Sequence, residues 1–110
     1  IIGKQGKNIK AENADDYIFG YTILNDFSAR DLQAQVMSVG LGPAKGKDFA
    51  TSIGPFIVTK DEIEGFKSGK GYDLKMTAKV NGKQMTSGNW NEIYYSFAEM
   101  IERASDSVPL

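Results

Sequence analysis

The chain has 110 residues, 41% hydrophobic and 25% charged, with a formal net charge of −1, enough for one small folded domain and outside the disordered class. Its basic residues are scattered rather than gathered into the patch that nucleic-acid binding requires, and no apolar run approaches the ~20 residues that span a bilayer. It has no cysteine and no histidine, which excludes disulfides, thiolate metal sites, His-ligated zinc and His-dependent nucleophilic sites built from this chain; any metal must be a hard cation held by oxygen, such as Mg2+, Mn2+ or Ca2+.

In chain order, Ile1-Ile2-Gly3 reads as the tail of a strand and residues 3–8 as a turn-rich, basic, solvated loop. Ala14, Tyr17 and Ile18 at helical spacing predict a short helix over 12–18, with Asn13 as its cap and Gly20 as its stop. The apolar, aromatic run over 17–24 leads out of it as a buried strand. The pattern changes at Asn25-Asp26-Phe27-Ser28-Ala29-Arg30-Asp31-Leu32-Gln33. Ser28 with Asp31 three residues on is a capping-box signal, so a helix begins near Ala29. Asp26 then lies at the carboxyl end of a buried strand, a frequent address for a metal-binding or catalytic carboxylate. Arg30 falls in the first helical turn, where the helix dipole disfavours a cation, and a residue placed against a local preference hints at use. Taken alone, these charges read more readily as a turn residue and a surface ion pair of Arg30 with Asp26 or Asp31.

After Gln33 the apolar pattern fades, and Gly40, Gly42, Pro43 and Gly46 mark a flexible loop that can bring backbone close to a ligand. Lys47 follows, with Phe49 expected to anchor the segment in the core. Neither a P-loop nor a GxGxxG fingerprint is present. Residues 54–59 predict a buried strand with Pro55 at its first position, and residues 60–65 a polar connection with one helical turn. Tyr72, Leu74, Met76, Ala78 and Val80 alternate with polar residues, which predicts a strand with one buried face. Asn81-Gly82 is a two-residue hairpin signal leading to a partner strand over 83–86, and residues 87–91 break the pattern. Ser96-x-x-Glu99 is a capping box, and Phe97, Met100, Ile101 and Ala104 form the apolar face of a helix over 97–105. Trp90, Tyr94 and Tyr95 read as core or interface aromatics.

The block over 25–33 resembles the signature of the fumarylacetoacetate hydrolase family. Lys45-Gly46-Lys47-Asp48-Phe49-Ala50-Thr51-Ser52-Ile53-Gly54-Pro55 resembles that family's next motif at the expected distance. The resemblance implies an α+β fold, a mixed β-sandwich roll of the family's C-terminal-domain type, of which residues 1–110 are the central part, truncated at both ends. It implies a divalent cation (Mg2+, or else Mn2+ or Ca2+), a small oxo-acid substrate and a homodimer. A cytoplasmic location is expected, with neither nucleic acid nor membrane as a partner. Asp26 matches the family's metal-binding aspartate and Thr51 the threonine that supports the metal environment. Arg30, Gln33 and Lys47 match the residues that hold substrate and stabilise developing negative charge.

The activity so implied is hydrolysis of a carbon–carbon bond in an acylpyruvate or other diketo acid. Decarboxylation, hydration and isomerisation remain open, as does a non-catalytic scaffold that kept the fold. The family's Glu-x-Glu pair, its catalytic histidine with an acidic partner, and its Pro-Gly-Asp and Gly-Thr motifs have no match here. Residues 1–110 alone are therefore expected to be inactive, since one carboxylate is a poor site for an ion that takes about six oxygens.

Overall fold

The computed structural model describes residues 1–40 and 42–110, so the loop expected over 40–46 includes one position, Leu41, outside the described residues. The chain forms two compact units, one made of Ile1–Tyr21 with Val58–Leu110 and the other of Thr22–Ile57. Among the described residues, helices mix with four two-stranded antiparallel ladders, an α+β architecture as expected.

In the first unit, α1 (Ala11–Ala14) and the 3-10 turn Asp15–Tyr17 pack with α4 (Phe97–Ala104). Ile9, Ala14 and Ile101 are buried there, with Tyr17, Ile18, Ala98 and Leu110 against them. Helix α4 opens on the expected capping box: Ser96 Oγ accepts from the Glu99 amide at 3.1 Å and Glu99 Oε2 from the Ser96 amide at 2.6 Å. The Lys70 ammonium donates to Glu99 at 2.8 Å. That contact first, and the cap second, hold the Glu99 carboxyl down at about 2. At the other end Ser105 is wholly buried. Its Oγ accepts from the Ile9 amide at 2.9 Å and its carbonyl from the Asn8 amide at 2.8 Å, while Gly6 and Leu110 exchange backbone hydrogen bonds. The segment over 3–8 is exposed apart from the half-buried Gly6, as expected of a solvated connection, and these backbone bonds also tie it to Ser105 and Leu110.

Several expectations fail in this unit. Asn13 is not a cap: α1 starts at Ala11, whose amide is taken by Glu102 Oε2 at 3.3 Å. Gly20 does not stop the helix, whose last turn ends at Tyr17, but opens β1 (Gly20–Tyr21), which pairs with β4 (Val58–Thr59). The alternating run from Tyr72 is not one strand. A tight turn, with the Leu74 amide on the Tyr72 carbonyl at 2.8 Å, separates β6 (Gly71–Tyr72), the partner of β5 (Lys67–Ser68), from β7 (Lys75–Val80). The one helical turn expected after residue 60 is α3 (Lys60–Ile63), which runs on into a 3-10 turn, Glu64–Phe66.

The hairpin is as predicted, with Asn81 at φ 50° and Gly82 at φ 80° joining β7 to β8 (Lys83–Asn89). The partner strand continues past residue 86, because a bulge at Met85 (Ala78 opposes Thr86 while Lys79 opposes Gln84) lets the ladder reach Asn89. All six residues of β7 are exposed. A face is buried only when a second layer covers it, and this ladder has two strands. Tyr21, Tyr72, Trp90 and Phe97 cluster with ring centroids 4.7–5.9 Å apart, and burial pushes the hydroxyls of Tyr21 and Tyr72 up. Tyr94 and Tyr95 lie outside this cluster, exposed, edge to face on one another at 4.8 Å.

The second unit consists of β2 (Leu24–Asp26) paired with β3 (Thr51–Ile53), helix α2 (Arg30–Met37) and the 3-10 turn Ala44–Gly46. The run over 17–24 is split between β1 and β2, and Leu24 is exposed, so Asp26 ends a strand that is not buried. Phe49 is 57% exposed and anchors no core. Nor do residues 54–59 form a buried strand: Gly54 at φ 114° turns the chain, the Gly54–Pro55 peptide is cis, Phe56 is 77% exposed and β4 begins only at Val58. No helix among the described residues is long and apolar enough to cross a membrane.

Ser96→Ala should lower stability by about 1 kcal/mol in urea unfolding, the usual worth of such a cap. The Glu99 carboxyl lies at about 2 in the folded chain against an ordinary 4.5. Its contribution is therefore complete above about 4.5 and vanishes as the pH falls through about 2; unfolding midpoints measured across that window should depend less on pH in Glu99→Gln.

Candidate functional site

The two sequence blocks meet in the second unit. Ladder β2–β3 pairs Leu24 with Ile53, Asn25 with Ser52 and Asp26 with Thr51. Directly opposed residues project to the same face of a sheet, so Asp26 and Thr51 stand side by side. The chain leaves β2 and enters α2 through Ala29, whose amide donates to the Gly46 carbonyl at 2.9 Å. Gly46 is buried against α2. A Cβ there would lie 2.7 Å from Gln33 Cβ and 2.8 Å from Gln33 Cα, so only glycine allows this approach. The next residue, Lys47, reaches back to the first block: its Nζ donates to Asp26 Oδ2 at 2.9 Å and to Ser28 Oγ at 2.7 Å.

The Lys47 side chain is 28% exposed and that of Asp26 48%. In such a partly solvated setting the ion pair adds little net stability, but it fixes where two charges sit. Arg30 pairs with neither Asp26 nor Asp31; its Nη1 donates to Gln33 Oε1 at 2.6 Å, one turn along the exposed face of α2. The Gln33 side-chain nitrogen makes only a 3.7 Å contact with Met37 Sδ. Five candidate residues thus fall into two groups, Asp26 with Lys47 and Thr51, and Arg30 with Gln33. No side-chain hydrogen bond joins the groups among the described residues; the backbone step from Gly46, packed on Gln33, to Lys47 does.

The capping box expected of Ser28 and Asp31 does not form. Helix α2 begins at Arg30, with Ala29 at its N-cap making no side-chain cap bond, and Asp31 Oδ1 accepts from the Leu32 amide at 2.7 Å. The Ser28 hydroxyl is drawn to Lys47 and donates to the Asp26 carbonyl at 3.2 Å. Ser28 and Gly46 are the site's two structural supports that sequence reasoning missed as such. Both lie inside the quoted motifs, and Ser28 was hidden by an equally local reading as a cap.

The carboxylate of Asp26 and the hydroxyl of Thr51 are hard oxygen donors, of the type a divalent alkaline-earth or manganese ion takes. Asp26 already accepts one cationic group, the Lys47 ammonium. The described residues contain no cluster of three or more His, Cys, Asp or Glu able to hold an ion, so Asp26 and Thr51 fit as part of a donor set.

A family model described as the fumarylacetoacetate (FAA) hydrolase C-terminal domain matches residues 1–110. The chain is 44% identical over 112 residues to an uncharacterised protein of Pyrococcus abyssi, covering 100% of this chain and 47% of that protein. It is 37% identical over 110 residues to an oxaloacetate tautomerase of Bacillus subtilis, covering 100% of this chain and 34% of that enzyme. Among solved structures it is similar to fumarylpyruvate hydrolase from Pseudomonas aeruginosa in complex with Mn2+ and pyruvate, with a TM-score of 0.79 and 26% identity over 99% of this chain and 45% of that one. The chain spans less than half the length of these relatives.

Gly46→Ala should force the Ala44–Gly46 turn away from Gln33 and cost about 1–3 kcal/mol, as overpacking does. Hydrogen exchange checks it: the Ala29 amide, which donates to the Gly46 carbonyl, should exchange faster, and an unchanged rate would refute the close-packing argument.

Proposed function

The chain belongs to the fumarylacetoacetate hydrolase family, and from that premise we propose that it is the central part of the catalytic domain of a divalent-metal-dependent enzyme that enolises a small 2-oxo acid. The observation that carries this reading is the convergence of two separate sequence blocks on one carboxylate, with Lys47 and Thr51 both beside Asp26. When bound, Mg2+ or Mn2+ supplies Lewis-acid polarisation of the substrate's oxygens. In the proposal Asp26 ligates the ion and Thr51 supports it. Lys47, Arg30 and Gln33 donate hydrogen bonds where an enolate gathers negative charge. Arg30 still has donors to spare after its bond to Gln33, which in turn keeps its amide nitrogen pointed away from that bond.

Enolisation moves a proton from the carbon next to the 2-oxo group to the oxo oxygen; breaking a carbon–carbon bond passes through the same kind of anion. Tautomerisation of an oxaloacetate-like acid is the version we favour, because a relative 37% identical across the whole chain is an oxaloacetate tautomerase. Hydrolysis of an acylpyruvate, the expectation from sequence, is the second reading, supported by the fumarylpyruvate hydrolase solved with Mn2+ and pyruvate at 26% identity. A homodimer is proposed too, and the exposure of Phe56, Tyr94 and Tyr95 supports it. The cytoplasm is the proposed compartment, since a cysteine-free sequence suits reducing conditions.

The test is made on the full-length protein. The protein should accelerate decay of the enol absorbance of oxaloacetate with Mg2+ or Mn2+, EDTA should return the decay to the protein-free rate, and an acylpyruvate cleavage assay separates the two readings. Inactivity in both would end the proposal. Arg30→Ala should lower turnover ~10²–10³-fold while leaving the unfolding midpoint nearly unchanged, as expected for an exposed side chain.

A further inference from the structure

We propose that Ser28 is a positioning residue that holds the Lys47 ammonium in place when a cation occupies Asp26. The inference rests on the reading above only in taking Asp26 as the residue that meets the cation. An ammonium donates and never accepts, so at 2.7 Å the Ser28 oxygen must accept from Lys47. The serine proton is then left to donate, and the Asp26 carbonyl lies 3.2 Å from Ser28 Oγ. The ammonium meanwhile donates to Asp26 Oδ2 at 2.9 Å. These three hydrogen bonds form a closed ring that starts and ends on Asp26, once at its carbonyl and once at its carboxylate.

The ring gives the two anchors of Lys47 different fates. A divalent ion held by Asp26 would draw on the same carboxylate charge as Lys47 and would repel the ammonium. It does not compete for the Ser28 oxygen, whose orientation is set by a backbone carbonyl rather than by a charged side chain. Lysine has a long, flexible stem, and without Ser28 nothing else among the described residues receives its ammonium once the carboxylate is taken. Ser28 keeps one of the three Lys47 donors occupied and the remaining ones aimed beside Asp26, where negative charge is to be stabilised. Supporting partners of this kind typically change activity by about 10–100-fold when removed.

The deciding measurement is side-chain order at Lys47 Cε, by NMR relaxation on the full-length protein with and without saturating Mg2+. In Ser28→Ala the order should fall toward that of the exposed Lys79, and more so with Mg2+ than without; Ser28→Thr, which keeps the hydroxyl, should restore it. Ser28→Cys, similar in size but a weak acceptor, gives the same reading if the alanine variant folds poorly. In a double-mutant cycle on turnover, Ser28→Ala should cost about 10–100-fold in kcat alone and little in a Lys47→Met background. Unchanged Lys47 order, an equal fall with and without Mg2+, or losses that add in full would each overturn the proposal. If the wild-type protein shows no turnover, the functional reading fails while the Mg2+-dependent order of Lys47 still decides this one.

Discussion

The contact of the Lys47 ammonium with the Asp26 carboxylate, at 2.9 Å, is the constraint on which the second unit's arrangement depends. It joins positions 21 residues apart, and each end is delivered by a separate device. Asp26 is delivered by the last rung of the β2–β3 ladder, which also brings Thr51 alongside. Lys47 is delivered by a turn pressed so closely onto α2 that Gly46 has no room for a side chain. Because the pair is partly solvated, its own net free energy is small. Its consequence is geometric: a carboxylate, a hydroxyl and an ammonium are brought within reach of one another on short backbone segments.

The first unit solves a different problem, that of holding together around a few buried side chains. Ile9, Ala14 and Ile101 are a thin core, and specific hydrogen bonds reinforce it at both ends of α4. At the start, Ser96 and Glu99 satisfy each other's amides and Lys70 adds a charge-assisted bond. At the end, the buried Ser105 accepts amides from Asn8 and Ile9, joining segments almost a hundred residues apart in sequence. Each of these bonds is worth little alone. Left unmade at a buried position, each would cost more than it contributes.

The apolar residues left outside follow from the same geometry. Two-stranded ladders offer two faces and cover neither. Met76 and Val80 on the hairpin and Leu24 in β2 are therefore exposed although their sequence pattern marks them as interior residues, while Phe49 and Phe56, also expected inside, lie in connections outside any ladder and are exposed as well. Alternation reports that a face prefers burial. It does not say which element does the covering, so an expectation of burial drawn from it holds only where another layer is present.

What the sequence determined by itself was local. Asn81-Gly82 specified the hairpin because both turn positions require positive φ, Ser96-x-x-Glu99 specified the start of α4 because both partners lie within one helical turn, and the two motif blocks marked Asp26, Arg30, Gln33, Lys47 and Thr51. Tertiary structure alone decided that Ser28 serves Lys47 and not the helix, that Gly46 is required by Gln33, and which apolar faces are covered. Turn and cap rules act over three or four residues, where backbone geometry leaves few alternatives. The choice of a hydrogen-bond partner or of a covering layer is made between segments brought together from afar, and competition among those partners overrides the local preference.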